Sequence, residues 1–390
     1  MVIISLLLMM IYIIRSCSVP TFDNALIIAY KGEDTTGTDF EVTGCLGSEI
    51  QGLSDYTKIE CKYQNVQELH KNAVTNLPKL VTLIFNNNGI ERISPNTFNN
   101  LPEINTLDLS NNRIEQIPTD LFNNLITLST LKFDNNKIVT INHAALRGLV
   151  NLKVLSLKQN KLSTWEKSWF KNNFVLETIN LEDNRITYIQ EEAFKDFKNI
   201  KNIILGNNEI VDIHQRAFVP IESLSKLDLS KNKLKKLHPD LFQSFNVRAL
   251  ATPPPNTNNR FSLFNIELDL RATFAGIKSL YIHKNNLTYL PTKIMNDLSI
   301  GSVVMFFNFH SNPWQCKCLE KIQKWIDRRR ILVNVFDAGC VNKDNPICVV
   351  PEKNGDNCLE VPDESIYRIY QSQFQKVTTA DPYGFFQLCT

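Results

Sequence analysis

Leu80-Val81-Thr82-Leu83-Ile84-Phe85-Asn86-Asn87-Asn88-Gly89-Ile90-Glu91-Arg92-Ile93 carries the spacing that decides the fold. Apolar residues stand at Leu80, Leu83, Phe85, Ile90 and Ile93, with asparagine at Asn88. Shifted by 24 residues, the pattern returns as Ile104, Leu107, Leu109, Asn112, Ile114 and Ile117. It recurs from Leu128, Leu152, Leu176, Ile200 and Leu224 without gaining or losing a residue. Seven units in strict register identify a stacked repeat, not a set of separate globular domains. The alternation that opens each unit makes a short strand whose inward side chains enter a core. Stacked units therefore build a parallel sheet.

Two further columns run through the repeat. Asn88, Asn112, Asn136, Asn160, Asn184, Asn208 and Asn232 fall where the chain leaves the strand, and there backbone groups lose their ladder partners. A buried amide supplies donors and an acceptor, so these asparagines are expected to stitch neighbouring turns together. Phe98, Phe122, Leu146, Phe170, Phe194, Phe218 and Phe242 recur at the same period and are expected to stack within the far half of the core. This spacing is identified as that of the leucine-rich repeat. The resemblance implies an α/β solenoid with a curved parallel sheet on its concave face, irregular or 3-10 turns on its convex face, and disulfide caps at both ends.

Register loosens after residue 247, and the next clear unit is Ile277, Leu280, Ile282, Asn285, Leu287, Leu290. Between them lies Thr252-Pro253-Pro254-Pro255-Asn256, read as part of one longer repeat whose loop, Thr252–Asn259, is either a binding loop or a tolerated insertion. A last strand starting at Val304 would place His310 at the same offset as His283 on the adjacent strand. Such a pair is a candidate for metal binding or acid sensing, although the sequence offers no third ligand.

Val2 to Ile14 is an uncharged apolar run followed by Arg15 and the small-residue stretch Ser16-Cys17-Ser18. That is the form of a secretory signal and is too short to span a bilayer of ~30 Å. The expected organisation is a signal at 1–18, an N-terminal cap and first repeat at 19–79, repeats at 80–303, a cysteine-rich cap at 304–360 and a tail at 361–390. With Cys17 removed, eight cysteines remain, an even number that reads as disulfides in an exported chain. Cys61 fits an inward strand position, and a Cys45–Cys61 bridge would fasten the leading segment, including strand-like Ala25–Tyr30 and Asp39–Val42.

Downstream, Asn312-Pro313-Trp314-Gln315-Cys316-Lys317-Cys318-Leu319 leads to Cys340 and Cys358. This resembles the C-terminal flanking module of extracellular leucine-rich-repeat proteins of the Toll-like and Slit-like kind. The resemblance implies pairing of first with third and second with fourth cysteine, hence Cys316–Cys340 and Cys318–Cys358. Cys348 and Cys389 are left to pair with each other, or Cys389 to bond a second chain in a homo- or heterodimer. The tail residues Ile366, Tyr367, Ile369, Tyr370 and Phe374 are apolar at helical spacing and are expected to pack back on the cap.

A net charge of +2 gives no reason to propose nucleic acid or a membrane as partner; the basic run Arg328-Arg329-Arg330 reads as the dipole-compensating end of a helix. No nucleophile elbow, phosphate loop or paired metalloprotease histidines occur, so no catalytic residue, metal or cofactor is nominated. Binding is expected on the concave sheet face, at Asp108, Ser110, Lys132, Asp134, Ser156, Lys158, Asn180, Glu182, Asp228, Tyr281 and His283. Their mixed charge and short polar groups suit a protein or glycan ligand. The sequence reading is a secreted recognition protein of innate immunity or cell–cell signalling, the alternative being a structural matrix or adhesion component. Asn286-Leu287-Thr288 is the single glycosylation sequon.

Overall fold

The computed structural model describes residues 19–170, 173–221, 223–243, 276–300, 304–333, 348–351 and 357–373. The signal segment 1–18, the loop Thr252–Asn259, Cys340, Phe374 and Cys389 lie outside the described residues. The chain divides into two compact units, Met1–Asn184 with Asp196–Asn199 and Arg185–Lys195 with Ile200–Thr390.

The first unit opens with an antiparallel hairpin, β1 (Phe22–Tyr30) and β2 (Thr38–Gly44). β1 also pairs antiparallel with β3 (Lys58–Cys61), so a hairpin covers the leading edge of the repeat sheet. The parallel ladder then runs through β4 (Thr82–Ile84), β5 (Thr106–Asp108), β6 (Thr130–Lys132), β7 (Val154–Ser156) and β8 (Thr178–Asn180). Register is uniform: Leu83, Leu107, Leu131, Leu155 and Ile179 line up, every one fully buried. The strands are only three residues long because each turn must leave the sheet to close its coil.

The asparagine column does what the sequence requires of it. Asn160 is typical: its Nδ2 donates to the carbonyls of Phe133 (2.9 Å), Leu157 (3.0 Å) and Lys158 (3.2 Å), and its Oδ1 accepts the Ile138 N–H (3.0 Å). Immediately before the ladder residues a second column, which sequence reasoning missed, adopts the left-handed conformation: Asn87, Asn111, Asn135, Gln159, Asp183, Asn207 and Lys231, with φ between 53° and 61°. Asn and Asp tolerate this region better than most residues, so their recurrence before the ladder was the available signal.

The aromatic column is interrupted in the fourth repeat. Trp165 occupies an inward position there and meets Trp169 edge-on at 5.3 Å, both fully buried. Phe170, expected in the core, is only half-buried against Trp165 (5.6 Å) and Phe197 (5.0 Å), because the two indoles fill its place. In the second unit Phe194, Phe218 and Phe242 stack as expected at 5.8 and 6.3 Å.

That unit carries β9 (Asn202–Ile204), β10 (Ser223–Asp228), β11 (Gly276–Tyr281) and β12 (Phe306–Asn308), all parallel. β10 pairs directly with β11, and Asn285 Nδ2 reaches the Leu229 carbonyl at 2.9 Å. These two strands are thus direct neighbours in the ladder although they lie far apart in sequence. Helix α1 (Thr292–Ile300) follows, and α2 (Cys316–Arg329) caps the end, presenting Leu319, Ile322 and Ile326 to the core. A third helix, α3 (Glu364–Gln373), packs Ile366 and Tyr370 on Val349, so the tail folds back on the cap as expected.

The disulfides correct three expectations. Cys316 bonds Cys348, not Cys340, while Cys318 bonds Cys358 as the family resemblance implied. The cause is a short parallel bridge between Gln315 and Val349, with Cys316 N–H donating to the Val349 carbonyl at 3.0 Å, which lays Cys348 beside Cys316. A Cys348–Cys389 bond is thereby excluded. Each bridge closes a loop of 32 or 40 residues, worth about 3–4 kcal/mol on a chain-entropy argument.

At the other end Cys61 is a free, buried thiol, and Cys45 is disulfide-bonded, but not to Cys61. The expected Cys45–Cys61 bond does not form, and the two cysteines stand beside different sheets. Leu46, beside Cys45, pairs with Val74, whereas Cys61 points inward from β3 and its S–H faces Asn88 Oδ1 at 3.9 Å. Burial pushes the Cys61 thiol up to about 12.

Candidate functional site

In-register strands turn scattered polar residues into rows on the outward sheet face. In the first unit Asp108, Lys132, Ser156 and Asn180 are successive register partners, and Ser110, Asp134, Lys158 and Glu182 follow two residues further along each turn. Strand spacing of ~4.8 Å sets the distance from one row member to the next. The structure thus brings these eight predicted site residues together on one face.

Most of these groups are already engaged. Asp134 accepts Ser156 Oγ (2.5 Å) and the Lys158 N–H (3.0 Å), while its own N–H donates to Ser110 Oγ (3.2 Å). Lys158 pairs with Glu182 (2.7 Å) and lies 3.8 Å from Asp183; the hydrogen bond to Glu182 raises its pKa. Asp108 accepts the Ser110 N–H (2.9 Å), and Asn180 Oδ1 accepts the Glu182 N–H (3.0 Å). Lys132 is half-buried in the centre of the row and has no ion pair among the described residues. These internal bonds fix rotamers before any ligand arrives, so little side-chain entropy remains to be lost on binding.

The second unit forms a separate cluster, containing the predicted residues Asp228, Tyr281 and His283 together with Asn308 and His310. Lys226 sits 4.7 Å over the Tyr281 ring and 3.4 Å from Asp228, whose Oδ1 accepts Ser230 Oγ at 2.6 Å. The two imidazoles stack with centroids 4.7 Å apart, the neighbour relation expected from their shared offset. Their environment is not that of surface histidines. Both are buried, His283 Nδ1 and His310 Nε2 have no hydrogen-bond partner, and both amide atoms of Asn308 are likewise unpaired.

Burial, then the nearby Lys284, Lys231 and Lys226, pushes His283 down to about 4; burial and the His283 charge push His310 down to about 3. Both shifts favour the neutral imidazoles, so in the folded chain the pair takes up protons only at a pH below the usual histidine range. Among the described residues no three His, Cys, Asp or Glu side chains are grouped closely enough to hold a metal. Asn308 was not singled out from sequence; its register with Tyr281 was the signal that could have found it.

With this geometry in hand, known proteins supply the family. The model of the BspA-type leucine-rich repeat region matches six copies over residues 115–248 and 163–292, and a general leucine-rich-repeat model matches residues 57–114. The chain belongs to the leucine-rich-repeat proteins. No curated protein matches it closely enough to count as a relative.

Similar solved structures include the mouse RP105/MD-1 complex, at 18% identity and a TM-score of 0.55, covering 85% of this chain and 48% of that one. Another is the Toll–Spatzle complex, described as a molecular hub in Drosophila development and innate immunity, at 18% identity and a TM-score of 0.52, covering 66% and 31%. This chain spans between about a third and a half of the length of those structures, and the likeness is one of fold.

Proposed function

We propose that this is an extracellular recognition protein that binds a protein ligand on the outward sheet face between Asp108 and Glu182. The observation that carries the reading is the prebonded row around an unpaired Lys132, a rigid surface of alternating charge with one cation left to engage a partner. Charge alternation on a fixed backbone selects orientation and excludes wrong partners more than it supplies affinity.

An extracellular setting is supported by the C-terminal disulfides. Among the described residues no helix is long and apolar enough to cross a membrane. The two similar structures described above are protein complexes, one of them described in terms of development and innate immunity, and they support a protein ligand and a role in immune recognition or signalling. The face offers no convergent acid, base and nucleophile, so the reading is non-catalytic. Asn286 is half-buried at the turn after β11 and is the proposed glycan acceptor.

The test is capture of partners from extracellular fluid by the purified mature chain, with Lys132→Glu as the diagnostic variant. Lys132→Glu should abolish or weaken capture of the same partner at unchanged melting temperature. Retained capture by Lys132→Glu, lost instead on deletion of the loop Thr252–Asn259, moves the binding site to that loop and overturns the reading.

A further inference from the structure

Away from the sheet face, a cavity of about 600 Å3 opens between α1 and α2. Lys321, Lys324, Trp325 and Arg328 recur on α2 at spacings of three and four, which places them on one face of the helix, and all four line the cavity with Arg329. Thr292, Asn296 and Ser299 of α1 supply hydroxyl and amide groups on the other side. Among the described lining residues none is acidic. The local charge is concentrated as well. Residues 316–330 hold six cations and two acids, a net of +4, in a chain whose total is +2.

Helix-dipole compensation explains cations in the last turn of α2, but not Lys321 and Lys324 on the same face up to two turns earlier. Those two are partly neutralised, Lys321 by Glu360 (2.7 Å) and Lys324 by Glu320 (2.6 Å). Arg328 and Arg329 are exposed and have no ion pair among the described residues. Two unpaired guanidinium groups lining one cavity are suited to binding planar or tetrahedral oxyanions. Beside them the Trp325 ring is held in place, its N–H donating to Ser299 Oγ at 2.8 Å and its plane meeting Phe307 edge-on at 5.6 Å. A fixed indole with hydroxyl and amide groups around it fits a sugar ring.

We propose that the cleft between α1 and α2 binds a sulfated acidic polysaccharide, with sulfate groups on Arg328 and Arg329 and a sugar ring beside Trp325. A lipid acyl chain would need a more continuous apolar lining than Met295 and Trp325 provide. A nucleic-acid strand would need successive aromatic platforms, and among the described lining residues Trp325 is the one aromatic ring.

The probe is a size-defined heparin oligosaccharide, titrated into the full mature chain at about 0.15 M NaCl, with Trp fluorescence and calorimetry as readouts. Binding should be saturable, should weaken steeply with added salt, and should perturb tryptophan emission. Arg328→Gln/Arg329→Gln should lose about tenfold or more in affinity with an unchanged melting temperature. The control Lys137→Gln/Lys161→Gln, with the same change in charge on the first unit, should keep wild-type affinity. Three results would each overturn the proposal: no heparin binding at that salt, equal losses in the two double variants, or equally tight binding of single-stranded RNA or phosphatidylserine vesicles.

Discussion

Replacing Asn160 by alanine tests the ladder at its most quantitative point. The side chain makes four hydrogen bonds, but they are not equivalent. The Phe133 carbonyl also accepts Asn136 Nδ2 (3.0 Å), the Leu157 carbonyl accepts Asn184 Nδ2 (2.9 Å), and the Lys158 carbonyl accepts the Asn135 N–H (2.8 Å). Each therefore keeps one donor and forfeits a second bond, roughly 0.5 kcal/mol apiece. The Ile138 N–H has Asn160 Oδ1 as its acceptor and would be stranded in the core at a cost of about 1–3 kcal/mol.

The expected loss is about 2.5–4.5 kcal/mol, against within about 0.5 kcal/mol for the exposed control Lys153→Ala. Asn160→Asp should be no better, since it keeps the acceptor for Ile138 but turns a buried carboxylate toward three carbonyl oxygens. Urea denaturation followed by circular dichroism measures the loss, and amide exchange at Ile138 locates it. A destabilisation under about 1 kcal/mol with Ile138 exchange unaltered would refute the ladder account.

Three other outcomes are expected. Non-reducing peptide maps should yield Cys316–Cys348 and Cys318–Cys358, with Cys61 alkylated only after denaturation because burial holds its thiol near 12; a Cys316–Cys340 peptide would contradict the cap geometry. His283 and His310 are depressed in the folded chain, so unfolded imidazoles bind protons first: stability is full above about pH 6.5 and declines as pH falls from there towards about 4. Between pH 6.5 and 5 the loss should be about 1–2 kcal/mol per imidazole, and His283→Phe/His310→Phe should flatten it in paired urea titrations. Lys231 is exposed with φ 53°, so Lys231→Asn should raise stability by about 0.5 kcal/mol, read from the shift in denaturation midpoint.

What the sequence makes legible here follows from periodicity. A residue that must face the core in every turn, such as Leu107, Leu131 or Ile179, returns at a fixed spacing and is readable from one chain. The ladder asparagines are readable for the same reason. Legibility fails where a position is decided by an unrepeated neighbour. Phe170 keeps its place in the count yet leaves the core, because Trp165 and Trp169 occur in that repeat alone and fill the space first. Cys348 rather than Cys340 reaches Cys316 through the bridge between Gln315 and Val349, a contact outside the repeat that no spacing announces.

Binding residues belong by nature to this second class. The register fixes that Asp108, Lys132, Ser156 and Asn180 share a row, which the period does announce. It cannot announce that Lys158 is occupied by Glu182 while Lys132 is not, since that depends on which side chains happen to stand on adjacent strands. Asn308 and the paired imidazoles beside it differ from a solvated polar row through burial, which the sequence pattern does not encode. In a solenoid the repeated positions build the scaffold, so the positions that depart from the repeat are where ligand specificity can be written. Lys132 on the first unit and the Arg328–Arg329 pair on the cap are two such departures, and each is exposed to experiment by a change of charge that leaves the ladder untouched.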